Sequence, residues 1–191
     1  MEFLLLTALW LFVLTNIDAF VVLLAFCTDE RYEALEILIG HSLGFAVGLA
    51  IATVGALLAA ETLGEYGYLL GIMPVLLGLW GYRREPASDQ TRPEGGTTHL
   101  GRVSTVAIVG VGLSGENIAV YMPYFMTLTE YELPIVLVLY LLGAGGTFLL
   151  VHWISNRSAS FNIPTWVEVH LVHLTLIAIG VYVLLTGWLA W

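Results

Sequence analysis

Two short stretches, LTNIDAFVV (14–22) and GENIAVYMP (115–123), each set an amide beside a carboxylate inside an otherwise apolar run. The first holds Asn16 and Asp18, the second Glu116 and Asn117. A charged carboxylate at mid-bilayer costs at least about 2.5–3.5 kcal/mol on insertion scales, and such residues usually mark an ion or proton path. Amide and carboxylate oxygens together make a donor set for a divalent cation. Pro123 adds to it, because proline has no N–H for the carbonyl of Ala119 and its ring opens that turn. Gly112 and Gly115 would let the helix deform there. The bland alternative is a pair of protonated acids that hydrogen-bond neighbouring helices.

Histidines extend the chemistry. His41 lies in IGHSLGFAVG (39–48), beside a stripe of Gly40, Gly44 and Gly48 that would let two helices approach closely. A neutral imidazole ligates zinc-like metals, so His41 joins Asn16, Asp18, Glu116 and Asn117 as a candidate metal ligand or proton carrier. Glu168, His170 and His173 could form a cytoplasmic point of access for cations, since His170 and His173 share a helix face. His152 reads as an interfacial residue, His99 as a solvated loop residue and Cys27 as a small hydrophobe. Ser114 near Glu116 is the only candidate for a nucleophile, and no phosphate-cradling loop, paired-Cys motif or nucleophile elbow appears.

The elements that must carry these residues are membrane helices. The chain of 191 residues is 59% hydrophobic and 11% charged, against about half and about a quarter for soluble domains. With six arginines, no lysine and a net charge of -9, it lacks the basic patches that nucleic acid requires. The N-terminus has no basic region ahead of its apolar run, so that run is expected to remain as a helix rather than be cleaved. A crossing helix needs about 20 apolar residues. Six spans are expected, at 3–26, 34–60, 67–82, 103–128, 133–154 and 167–189, in an all-α integral membrane protein.

With alternating spans, Arg31, Arg83, Arg84, Arg92, Arg102 and Arg157 fall on one side. The positive-inside rule makes that side cytoplasmic, with both termini outside the plasma membrane. The polar segment RREPASDQTRPEGGTTHLGR, a cytoplasmic linker at 83–102, separates an N-terminal three-helix unit (1–82) from a C-terminal one (103–191). Three spans per unit reverse the second relative to the first, so homologous units would form a 3+3 inverted repeat. A shift of 101 residues pairs Asn16 with Asn117 and Phe20 with Tyr121.

The blocks LTNIDAFVVLLAF, IGHSLGF, LLGIMPVLLGLWGYRR and GENIAVYMPYF resemble the cadmium resistance transporter family, within the lysine-exporter superfamily. This chain carries Glu116 where the family pattern has Asp, and His41 where it typically has Gln. The resemblance implies a six-helix exporter that moves divalent metal out of the cytoplasm. Proton exchange on Asp18 and Glu116 would couple the export by alternating access. The metal is then cargo, no resident cofactor is expected, and the chain has room to act as a homo-oligomer. Two other functions compete: an exporter of amino acids or similar solutes, and a membrane enzyme or assembly factor. The first would want a cationic partner near mid-membrane, and no Arg or Lys lies within any expected span.

Overall fold

A computed structural model describes residues 2–83 and 98–157, together with 174, 177, 178, 180, 181, 184 and 185 of the last segment. The described residues are helical and contain no strand. In chain order the helices are α1 (Glu2–Thr15), α2 (Ile17–Cys27), α3 (Ala34–Leu63), α4 (Ile72–Arg83), α5 (His99–Met126) and α6 (Glu132–Arg157). A 3₁₀ segment, Gly64–Gly71, leads into α4.

α3, α5 and α6 are each long and apolar enough to cross a bilayer, and the bent pair α1–α2 makes a fourth candidate. The 30 residues of α3 reach about 45 Å at 1.5 Å per residue, more than the ~30 Å hydrocarbon core. Its exposed residues fall at helical spacing, with Leu35, Ile39, Leu43, Val47, Ile51, Val54 and Leu58 all open to the surroundings. An apolar ridge of that length suits lipid and would be a liability in water.

The region expected as a third span differs. Gly64 adopts φ +49°, a conformation glycine takes without steric cost, and this turn starts the 3₁₀ segment. Only 12 residues then form α4, with Pro74 near its start, where a missing N–H is tolerated. The expected sixth span and most of the linker lie outside the described residues. Gly180 of the last segment packs against the Gly71 carbonyl and Val75.

α5 begins four residues earlier than the expected span, because Thr98 caps it by accepting a hydrogen bond from Gly101 N at 3.1 Å. His99 and Arg102 therefore belong to a helix rather than to a loop, although the His99 side chain is solvated as expected. Arg102 forks onto buried Glu36 of α3, with Nε to Oε2 and Nη2 to Oε1 both 2.7 Å. His99 joins the same carboxylate. Glu36 also closes a capping box with Glu33 at the start of α3.

The glycine stripe does what its spacing implied. A Cβ on Gly44 would stand 2.7 Å from the Ala107 carbonyl oxygen and 3.0 Å from Gly110 Cα. Gly40 meets Val103 and Val106, and Gly48 meets Ser114. Three contacts one turn apart on each helix bring the α3 and α5 backbones together along their length. Two apolar clusters flank the packed region. One gathers Phe12, Phe45, Tyr121, Phe125 and Tyr140; the other gathers Leu23, Phe26, Ile37, Val106 and Phe148.

Candidate functional site

Span one is broken where its polar residues sit. The axes of α1 and α2 differ by 54°, and Asn16, at φ -113° and ψ 17°, is the residue between them. The cause is local. Thr15 Oγ1 donates to the Leu11 carbonyl at 2.9 Å and Asn16 Nδ2 to the Phe12 carbonyl at 2.8 Å. Side chains thus engage the carbonyls that the next helical turn would use. The Asn16 carbonyl then accepts from Phe20 N at 3.0 Å and starts α2. Irregular backbone at membrane depth persists only where protein surrounds it, and Thr15 and Asn16 are 6% and 5% exposed.

Asp18 stands in the first turn of α2, where the partial positive charge of a helix N-terminus favours an ionised carboxylate. It is half-buried, as is Glu116 of α5. Asn117 and Ser114 share one face of α5 at a spacing of three and are both buried. The Ser114 hydroxyl donates to the Gly110 carbonyl at 2.9 Å, which leaves its oxygen lone pairs without a required partner.

Between the two apolar clusters lies a cavity of about 20 Å³, room for one water-sized occupant. Four polar residues line it: Asn16, His41, Ser114 and Asn117. His41 Nε2 and Asn117 Oδ1 are buried and have no hydrogen-bond partner among the described residues. An orphaned buried polar atom costs about 1–3 kcal/mol, so two of them beside one cavity call for an occupant. The His41 ring also has the Ala144 backbone as a hydrogen-bond partner.

Of the five residues singled out as metal ligands, Asn16, His41 and Asn117 meet at this cavity. Asp18 and Glu116 are not among its lining residues, although each adjoins one that is. Glu168, His170 and His173 lie outside the described residues. Sequence reading weighed Ser114 only as a nucleophile; its spacing of three from Asn117 was the signal for a shared face. Glu33, Glu36 and His99 also bring ligand atoms within 4.8 Å of one another. Both Glu36 oxygens already hold Arg102, and a guanidinium in that position opposes a cation. That cluster is an ion-paired clamp between α3 and α5.

A helical protein with several apolar helices long enough to cross a bilayer reads as a membrane protein. The chain is a member of the cadmium resistance transporter family, whose sequence profile matches residues 12–188. No curated protein and no solved structure matches it.

Proposed function

We propose that this chain exports divalent metal cations of the cadmium and zinc type from the cytoplasm, by alternating access coupled to protons. The observation that carries the reading is the convergence of His41 Nε2 and Asn117 Oδ1, both buried and unpartnered, on one cavity with Asn16 and Ser114. One imidazole nitrogen and several neutral oxygens form a borderline donor set, which suits zinc-like ions better than a cage of carboxylates would. Asp18 and Glu116 supply the negative charge beside the cavity and exchange metal for protons. Six spans in a 3+3 inverted repeat, within the plasma membrane and with both termini outside, complete the reading. Glu168, His170 and His173 would then receive ions at the cytoplasmic face. A homo-oligomer is compatible with it. Export of amino acids is less well supported, because no cationic residue lines the cavity to meet a substrate carboxylate.

The test is His41→Gln in proteoliposomes, followed by uptake of cadmium, zinc and manganese. Transport should persist with preference moved away from zinc by about tenfold, since glutamine replaces the nitrogen ligand by an oxygen or amide. An unchanged preference at normal protein levels would make His41 a structural residue and remove the observation that carries the proposal.

A further inference from the structure

Tyr121 lies one turn beyond Asn117 on α5, with its ring buried against Tyr140 at a centroid distance of 4.6 Å and Phe125 at 5.7 Å. Its hydroxyl sits at the break in span one, 2.7 Å from Thr15 Oγ1 and 2.9 Å from Asn16 Nδ2. The Thr15 and Tyr121 hydroxyls share one hydrogen bond in which either oxygen can donate, and Tyr121 is the donor when the Thr15 hydrogen goes to the Leu11 carbonyl. The Tyr121 hydroxyl accepts from Asn16, whose amide nitrogen can only donate. Three acceptors, the Phe12 carbonyl at 2.8 Å, Tyr121 at 2.9 Å and Thr15 Oγ1 at 3.3 Å, surround the amide nitrogen and take up both of its hydrogens. Only Oδ1 of the Asn16 side chain is left to face the cavity that this residue lines.

The bonds from the amide to Phe12 and to Tyr121 are not equivalent. Phe12 belongs to the same span as Asn16, so its bond moves with α1. Tyr121 belongs to the helix that carries Ser114 and Asn117, so its bond fixes Asn16 relative to those two groups. We propose that Tyr121 is a positioning residue: its hydroxyl holds the broken turn against α5 so that the oxygens of Asn16 and Asn117 reach one cation together. This rests on the reading of the cavity as a metal site. Tyr121 need not touch the ion, and no ligand role is assigned to it.

Tyr121→Phe keeps the ring in its aromatic cluster and removes only the hydroxyl, so the fold should survive. Cadmium binding to the purified full chain and cadmium uptake by proteoliposomes are measured for wild type, Tyr121→Phe, Asn16→Ala and the double variant. Loss of one preorganising hydrogen bond should weaken cadmium binding about five- to tenfold. KM should rise by the same factor, with the maximal rate little changed. In the Asn16→Ala background the same substitution should have no further effect, because Tyr121 acts through that amide. Equal effects in both backgrounds, or wild-type binding by Tyr121→Phe while Asn16→Ala is impaired, would overturn the positioning role alone. Wild-type binding by Asn16→Ala would instead remove the metal-site reading on which it stands.

Discussion

The stretches around Asn16 and Asn117 have similar residues and opposite backbones. In span one the helix ends at Thr15 and restarts at Ile17, at an angle of 54°. In α5 the helix continues past Glu116 and Asn117 and through Pro123 to Met126, although proline was expected to open that turn. The side chains explain half of the contrast. Thr15 and Asn16 take two successive carbonyls of α1, whereas in α5 Ser114 takes a single carbonyl. Tertiary support explains the rest. α5 lies along the glycine stripe of α3, so its axis is held on either side of the lost proline bond. α1 and α2 each pack against α6, through Gly143 on Phe12 and Ser155 on the Cys27 carbonyl, and Tyr121 pins the break between them to α5. One stretch is a continuous rod and the other a bend of 54°.

The comparison breaks most decisively at its carboxylates. Asp18→Asn and Glu116→Gln should each reduce cadmium transport at least roughly 10–100-fold, the range seen when even an outer partner of a metal ligand is lost. Both should reach the membrane at normal levels, because neutralising a membrane acid lowers its burial cost. Glu116→Asp keeps the charge and should remain active. Near-normal uptake by both amide variants would show that the acids only bond helices together.

The rod itself is tested at its glycines. Gly44→Leu forces a side chain into the Ala107 carbonyl and should lower the thermal stability of the purified protein by about 1–3 kcal/mol or more. A Cβ on Gly112 meets nothing within 4 Å among the described residues. Gly112→Ala should therefore be neutral, or stabilising by up to about 1 kcal/mol through helix propensity. If Gly112→Ala instead impairs transport without loss of stability, α5 bends during the cycle and the rod description fails.

The smallest effect concerns the clamp at the start of α3 and α5. Arg102→Ala leaves the buried Glu36 carboxylate with only His99 and the Glu33 amide and should lower the melting temperature visibly. Arg31→Ala removes a partner of Asp29 from a local pair whose arginine is 62% exposed and should change it less. Equal shifts in the two variants would mean that the Glu36 cluster does not hold α3 to α5.

Much of this was legible in the sequence, for reasons that can be named. The apolar runs of α3, α5 and α6 are long, and the stripe of Gly40, Gly44 and Gly48 has the period of a helix contact. Asn16, His41 and Asn117 stood out because polar groups are rare in such runs, and they do line one cavity. The break at Asn16 was not legible. Its local bonds are of a kind that helices often absorb, and the partner that secures it, Tyr121, is 105 residues away. The same distance problem hid the clamp, in which Glu36 and Arg102 are 66 residues apart. The third expected span, 67–82, becomes a 3₁₀ segment to Gly71 followed by a helix from Ile72, a change of helix type that an apolar window does not register.

The close contact of α3 with α5 also has a consequence for biosynthesis. Gly44 leaves the ribosome 66 residues before Gly110, the residue it packs against. At about 5–20 residues per second this is a delay of roughly 3–13 s. During that interval the stripe has lipid, or the insertion machinery, as its neighbour. The cavity cannot exist in the nascent chain until α5 arrives, so α1 to α4 emerge before it can form.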